Sequence, residues 1–245
     1  LLHNGSSDFS FLLMLLSLYT IWGNFTVGTT YYDVYSEKLP DSFDEFKIAQ
    51  ISDLHNREFG EKNLKIIKIL KAERPDIIVI TGDLVDSSRA NIDIAMTFVK
   101  QAMKIAPCYY VTGNHEAWIG KTYMELENQL VKAGVVVLHD EVISFFREDE
   151  SIYIIGLDDP DFTYGESYFQ YSIFQSKLCD MNLPEGFKIL LSHRPEEFDA
   201  YVSNGVDLVL SGHAHGGQFR LPFVGGIVAP NQGLFPEYDA GVYTK

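Results

Sequence analysis

Cysteine is scarce in this chain and shows no pairing pattern. The sequence contains two cysteines, Cys108 and Cys179, which stand far apart. Cys108 opens the apolar run CYYVT, and this context favours a small buried side chain over a metal ligand. The scarcity of cysteine therefore argues against a disulfide framework and against a thiolate metal site.

Basic residues are also few. The chain has 19 Lys and Arg against 34 Asp and Glu, which gives a formal net charge of −15. No block of Lys or Arg interrupts this acidic balance, so the surface as a whole repels nucleic acid and anionic lipid. We therefore expect no nucleic-acid partner. A phosphorylated substrate would need local positive charge, and bound cations are the obvious source.

The N-terminal part of the chain has a long stretch without charge, and its centre reads FSFLLMLLSLYTIW. Phe9–Val27 reaches the roughly 20 apolar residues that a membrane span needs, with Tyr19 and Trp22 placed like interface aromatics. We expect residues 1–30 to be a membrane anchor. A signal-peptide core and a helix packed on the domain are the alternatives. No basic residue precedes Lys38, so the side of the membrane stays open.

Residues 31–245 alternate between strand-like and helix-like patterns, which indicates one catalytic domain. FKIAQIS, DIIVIT and YYVT read as strands separated by helical patterns, and this alternation predicts parallel strands with right-handed crossovers. The second half is richer in strands, with VVVL, VISFF, SIYIIGL, FKILLS and DLVLS. The pattern predicts an α/β fold in which a mixed sheet or two packed sheets lie between helical layers. Asp159–Tyr171 reads as a polar and aromatic surface excursion near a site.

Five short motifs directly follow apolar runs. They are SDLH at 52–55, TGDLVD at 81–86, TGNHE at 112–116, SHRPE at 192–196 and SGHAHGG at 211–217. Each motif alone has an ordinary interpretation as a turn. Five of the seven histidines lie in these motifs, however, and open α/β sheets place ligand sites at the carboxyl ends of their strands. We therefore expect the five motifs to converge on one crevice.

The residue types in these motifs indicate metal chemistry. Asp, His and Asn offer mixed oxygen and nitrogen ligands, which suit Mn, Fe or Zn better than Ca or a closed structural zinc. Two cations about 3.5–4 Å apart need a bridging carboxylate, and they can clamp both the attacking and the leaving oxygen of an in-line displacement. The motifs thus predict two divalent metal ions and a phosphohydrolase that uses metal-activated water on a phosphoester or pyrophosphate bond.

The motif order D-x-H, G-D-x-x-D, G-N-H-E, H, G-H-x-H resembles that of the calcineurin-like metallophosphoesterase superfamily, over nearly all of Phe46 to Gly217. SDLHNREFG, SHRPE and SGHAHGGQFRLP are most similar to its membrane-associated bacterial branch, which includes enzymes acting on phospholipids and on UDP-diacylglucosamine. The resemblance implies a four-layer α/β/β/α sandwich with mixed central sheets. It also implies a phosphorylated small-molecule or lipid-linked substrate and membrane association.

The resemblance assigns roles to individual residues by motif position. One metal would be held by Asp53, His55, Asp83 and His215, with Asp83 bridging, and the second by Asn114, His193 and His213. His115 would not be a ligand. It would lie beside the scissile phosphate and pair with Asp86, whose carboxylate favours a protonated imidazole that donates to the leaving oxygen. Arg194 would bind substrate as a phosphate clamp, with an exposed loop arginine as the alternative.

Two departures from the family pattern narrow the choice of function. Protein-phosphatase members continue their second motif as D-R-G, whereas this chain has DSSRA, which counts against a protein phosphatase. The chain stops at AGVYTK, where the resembling proteins run on through another strand or two, so we expect a C-terminal truncation. A nuclease or cyclic-nucleotide phosphodiesterase of the same superfamily remains an alternative. So does a non-catalytic metal-site scaffold, although Asp83 and His115 are both present.

Overall fold

The structure is a computed structural model that describes residues 5–162 and 170–245. The predicted surface excursion lies partly outside this range, because residues 163–169 are not described. The first four residues of the apolar N-terminal segment lie outside it too.

Helices and strands alternate along most of the described chain. The helices are α1 (Gly5–Phe25), α2 (Leu64–Glu73), α3 (Ile92–Ala102), α4 (Asn114–Trp118), α5 (Thr122–Lys132), α6 (Gln170–Asp180) and α7 (Phe198–Ser203). The strands are β1 (Ile48–Ile51), β2 (Ile77–Thr81), β3 (Cys108–Val111), β4 (Val136–Val137), β5 (Glu141–Arg147), β6 (Glu150–Gly156), β7 (Lys188–Leu191), β8 (Leu208–Leu210), β9 (Phe219–Leu221), β10 (Gly225–Ala229) and β11 (Gly233–Leu234). Short 3-10 turns occur at Asp41–Phe43, Glu61–Asn63, Pro160–Phe162 and Pro195–Glu197.

The strands form two larger sheets and one small one. The first sheet has the order β1-β2-β3-β4 and is parallel throughout. The second has the order β5-β6-β7-β8, with β5 antiparallel to β6 and the other pairs parallel. A small antiparallel sheet, β11-β10-β9, follows. Because parallel strands end at the same edge of a sheet, the loops after β1, β2, β3, β7 and β8 are gathered together.

Buried apolar side chains lie on both faces of the first sheet. Ile78 and Ile80 of β2 pack with α2, α3 and α5. Ile77 and Val79, on the opposite face, pack with apolar residues of the second sheet. This two-sided burial explains why β2 reads as an uninterrupted apolar run. A third cluster, which includes Tyr201, joins the other face of the second sheet to α6 and α7.

The prediction of a mixed α/β domain is confirmed by these sheets. The succession of four layers stays a prediction, which the three clusters of buried side chains favour. Helix α1 carries exposed apolar side chains, and its end contacts the domain where Arg57 donates a 2.9 Å hydrogen bond to the carbonyl of Asn24. Among the described residues, no helix combines the length and the hydropathy needed to cross a membrane.

Candidate metal centre

The predicted ligand residues lie in loops that begin where strands end. Asp53 and His55 follow β1, Asp83 follows β2, Asn114 opens α4 after β3, His193 follows β7, and His213 and His215 follow β8. Five of them have left-handed φ angles between 47° and 66°, namely Asp53, His55, Asp83, His213 and His215. Asp, Asn and His adopt this conformation more readily than most other non-glycine residues. The residue types that bind metal therefore also suit these sharp turns.

A first ligand group is formed by two aspartates and two histidines. Asp53, His55, Asp83 and His215 each bring one potential ligand atom within 4.8 Å of the others. His55 Nε2 lies 3.6 Å from Asp83 Oδ2 and 3.4 Å from His215 Nε2. His215 Nε2 lies 3.5 Å from Asp53 Oδ1. Nitrogen and oxygen atoms from three loops thus face one point, which is the arrangement that a divalent cation needs.

A second ligand group shares Asp83 with the first and adds His193 and His213. His193 Nε2 lies 3.3 Å from Asp83 Oδ2 and 3.2 Å from His213 Nδ1. The other ring nitrogen of His193 donates to the carbonyl of Thr81 at 2.7 Å, which turns Nε2 toward the group. Asn114 Oδ1 is buried and accepts no hydrogen bond from any residue that the structure describes. That orphaned oxygen fits a metal ligand.

The two histidines of the second group lie in opposite electrostatic surroundings. Burial, together with the guanidinium of Arg194, lowers the pKa of His213 to about 2, so this ring is neutral, as a ligand must be. Burial also disfavours a charged His193, but the carboxylates of Asp83 and Asp53 outweigh it and raise the pKa of His193 to about 10, so a cation that binds this ring would displace a proton. Asp83 shows the matching effect. Burial opposes its charged form, but the nearby His193 holds the pKa of its carboxyl well below the usual range.

Glu116 joins two ligand loops, a role that its motif alone did not reveal. Its buried carboxylate accepts hydrogen bonds from the backbone N–H groups of Asp83 and Gly113, both at 2.8 Å, and of Val85 at 3.2 Å. The loops meet so closely that a Cβ on Gly113 would lie 2.3 Å from Asp83 Oδ1. The signal in the sequence was a Glu at the third position of a helix, where capping carboxylates occur.

His115 lies beside the first ligand group, with its ring centroid 4.4 Å from that of His55. Its Nδ1 accepts a 2.9 Å hydrogen bond from the backbone N–H of Ser87. In the neutral ring the proton therefore resides on Nε2. This Nε2 lies 3.9 Å from Asp83 Oδ2. His115 thus presents an N–H donor to the centre without belonging to either ligand group.

Asp86 does not make the hydrogen bond to His115 that the resemblance implied. Its Oδ1 instead accepts hydrogen bonds from the backbone N–H and the hydroxyl of Ser88, at 2.8 Å and 2.6 Å. Those hydrogen bonds, together with the nearby His115, lower the pKa of the Asp86 carboxyl. The reason is local, because an aspartate that opens a turn readily binds the backbone two residues on. Asp86 thus interacts with His115 through its charge, and their direct pairing stays a prediction.

Arg194 is buried, not exposed in a loop. Its Nε and Nη2 bind the two oxygens of Asp159 at 2.5 Å and 2.8 Å, and its Nη1 lies 3.1 Å from His213 Nε2. Asp161 and Glu196 lie 3.3 Å and 3.7 Å from the same guanidinium. The guanidinium is already held by the buried carboxylate of Asp159, with which a phosphate would have to compete. The role of Arg194 as a phosphate clamp stays a prediction.

Comparison with known proteins identifies the family. Residues 46–217 match the family described as calcineurin-like phosphoesterase. The chain belongs to this family. An Aquifex aeolicus protein named as an uncharacterized metallophosphoesterase is 33% identical over 219 residues, covering 88% of this chain and 79% of the relative. The phosphodiesterase YaeI of Escherichia coli is 28% identical over 195 residues, 78% of this chain and 68% of the relative.

Two further proteins resemble the chain, one in sequence and one in fold. A Danio rerio protein named as a transmembrane protein with a metallophosphoesterase domain is 29% identical over 204 residues, 79% of this chain and 46% of the relative. The solved structure of TT1561 from Thermus thermophilus aligns with a TM-score of 0.50 at 18% identity, covering 67% of this chain and 80% of that one. This likeness supports the fold. The chain is a metal-dependent phosphoesterase, as its motifs predicted.

Proposed function

We propose that this phosphoesterase holds two divalent cations and hydrolyses a phosphoester or pyrophosphate bond with metal-activated water. Asp53, His55, Asp83 and His215 would hold one cation, and Asp83, Asn114, His193 and His213 the other. The observation that carries the proposal is that the two ligand groups share Asp83. A bridging carboxylate is what a two-metal site requires. The oxygen and nitrogen donors suit Mn, Fe or Zn.

Two cations held there would activate a water molecule and neutralise charge on the phosphate. The protein's own residues do the remaining work. His193 is oriented by the Thr81 carbonyl, and Glu116 keeps the Asp83 loop against Gly113. His115 directs its Nε2–H at the centre, where it can donate a hydrogen bond to the oxygen that leaves phosphorus. This geometry supports the enzyme over a non-catalytic metal-site scaffold, which would not need an oriented donor beside the metals.

The decisive test removes the shared ligand. In Asp83→Asn we expect metal content to fall at both positions and turnover to be abolished, as measured by elemental analysis and by hydrolysis of a panel of mono-, di- and pyrophosphate esters in added Mn. Asp149→Asn is the matched control, because Asp149 is exposed in the turn between β5 and β6. Two metals per chain with full activity in Asp83→Asn would overturn the assignment.

We also propose that the enzyme works at a membrane surface on a lipid-linked phosphate. Two apolar elements adjoin loops that carry proposed metal ligands. Helix α1 exposes side chains such as Phe9 and ends beside Arg57, two residues after His55. The β9–β10 turn, which follows the His215 loop, exposes Phe223 completely and Val224 by 60%.

Vesicle binding tests this second proposal. Because the net charge of −15 disfavours anionic lipid, we expect the full chain to sediment with neutral phosphatidylcholine vesicles and to resist extraction by high salt. A chain beginning at Tyr32 and carrying Phe223→Ser should stay in the supernatant while still hydrolysing a water-soluble ester. Release of the full chain by salt would contradict apolar attachment.

A further inference from the structure

An exposed tryptophan stands next to the proposed proton donor. Trp118 is 57% exposed, and its ring centroid lies 5.0 Å from that of His115. Both residues belong to the short helix α4, where positions three apart share one face. His115 and Trp118 therefore form one continuous surface at the edge of the metal centre. A large aromatic side chain left in water at this position needs an explanation, since indole surface is usually covered.

The indole of Trp118 is held in a fixed orientation. Its Nε1–H donates a 2.8 Å hydrogen bond to Oδ2 of Asp161. The other carboxylate oxygen of Asp161 lies 3.3 Å from Nη2 of the buried Arg194. The backbone N–H of Asp161 donates to Asp159 Oδ1 at 3.0 Å, and Asp159 is paired with the same guanidinium. The buried ion pair of Arg194 and Asp159 thus fixes the orientation of the exposed Trp118 ring through Asp161.

We propose that Trp118 is a stacking platform for a planar ring in the leaving group of the substrate. The inference rests on the proposed function, in which His115 donates to the leaving oxygen. A group attached to that oxygen would then reach Trp118, 5.0 Å from the imidazole. A ring plane fixed by a hydrogen bond favours a flat partner, which gains from parallel contact, whereas a flexible chain needs only an apolar wall. Arg194 and Asp161 are positioning residues for this platform.

Two esters isolate the effect of planarity. Benzyl phosphate and cyclohexylmethyl phosphate are both esters of primary alcohols, so their leaving groups have similar acidity, but only the benzyl group is flat. We expect Trp118→Ala to lower kcat/KM for the benzyl ester by at least about fivefold, mainly through KM, a size within the range for ring stacking. The loss for the cyclohexylmethyl ester should be less than about twofold. Trp118→Phe should recover much of the benzyl activity, because phenylalanine keeps a ring.

Phe146→Ala is the matched control, since Phe146 is an exposed aromatic of β5 that takes no part in the centre. It should leave both esters unaffected. Equal losses for the two esters in Trp118→Ala would overturn the platform in favour of a general apolar wall. Dissociation of a dimer by Trp118→Ala, seen in sedimentation, would overturn it in favour of a docking surface for a second copy.

A binding measurement separates failure of the platform from failure of the proposed function. The chain has two tryptophans, Trp22 and Trp118, so Trp22→Phe leaves Trp118 as the only indole. Titration of this variant with benzyl phosphate should change its fluorescence, and titration with cyclohexylmethyl phosphate should not. This readout needs no turnover. Absence of hydrolysis with a benzyl-specific change would contradict only the proposed function, whereas no change with either ester would contradict the platform.

Discussion

Two regions of the molecule gather histidines and carboxylates, and they use them in opposite ways. In the cluster of Glu127, His139 and Asp158, the two ring nitrogens each face a different acid. His139 Nδ1 lies 2.9 Å from Asp158 Oδ2, and Nε2 lies 3.2 Å from Glu127 Oε1. The hydrogen bond with Asp158 outweighs partial burial and raises the pKa of His139 to about 9. The ring is therefore a cation that links α5 to the end of β6.

In the metal centre the histidines converge instead of bridging. His193 gives one nitrogen to the neutral carbonyl of Thr81 and turns the other toward Asp83. His55 also turns Nε2 toward Asp83, at 3.6 Å. The comparison shows that composition does not distinguish an ion pair from a ligand set. The difference is clearest between His193 and His139. The second ring nitrogen of His193 meets a neutral carbonyl, whereas both ring nitrogens of His139 meet carboxylates.

The largest effect on kcat is expected for His115, which presents a hydrogen-bond donor to the centre but is not a proposed metal ligand. His115→Ala should lower kcat by about 10²–10⁴, the range for a positioned acid or hydrogen-bond donor, with near-normal metal content. The deficit should shrink for esters of acidic phenols, since a good leaving group needs little protonation. Steady-state kinetics and elemental analysis provide the measurement, and His139→Ala, which should keep its activity, is the control. Metal loss in proportion to activity would show His115 to be a ligand.

A smaller effect is expected for Glu116, whose carboxylate joins two of the ligand loops. Glu116→Gln keeps the side-chain volume but replaces one carboxylate oxygen with an NH₂ group. An NH₂ group cannot accept the hydrogen bonds that the backbone N–H groups of Asp83 and Gly113 donate to the wild-type carboxylate. Leaving buried donors unpaired costs about 1–3 kcal/mol, so we expect a loss of that size in the free energy of unfolding, measured with urea. Metal affinity should fall as well. Glu127→Gln, in the half-exposed cluster, should cost less than about 1 kcal/mol. An equal loss in the free energy of unfolding for the two variants would contradict the distinction between the metal centre and the His139 cluster.

The smallest effect depends on pH. The pKa of His139 is raised in the folded chain from 6.5 to about 9, so its charged form stabilises the fold fully below pH 6.5. That stabilisation is lost as the pH rises through 9. The difference in unfolding free energy between the wild type and His139→Gln should be below about 1 kcal/mol at pH 6 and should vanish near pH 10. A difference that is constant across this range would show that packing, not charge, is responsible.

The sequence predicted the positions of the ligand loops because strand ends and motifs are encoded locally. An apolar run followed by Asp or His marks a loop at the carboxyl edge, and β2 with Asp83 is the clearest case. What it did not predict were choices between competing hydrogen bonds. Asp86 binds Ser88 instead of His115, and Arg194 turns inward to Asp159. Such choices depend on side-chain orientation and on segments distant in the chain.

Helix α4 shows the same limit. The motif G-N-H-E reads as a loop, yet its residues begin a helical turn that sets His115 and Trp118 on one face. The partner that fixes Trp118 is Asp161, more than forty positions later. No periodicity within either segment indicates this contact, because it arises from where β3 and β6 end in their separate sheets.

The left-handed backbone at the ligand positions has a consequence for how the protein can change over time. Each non-glycine residue in this conformation costs of order 1 kcal/mol, and five ligand residues carry that cost. Glycine at Asp53 or His213 would relieve the local cost while removing a ligand. A homologue that no longer needs to hydrolyse phosphate would therefore gain stability from glycine at these positions. An active enzyme must keep the strained ligand residues, because glycine cannot bind the metal.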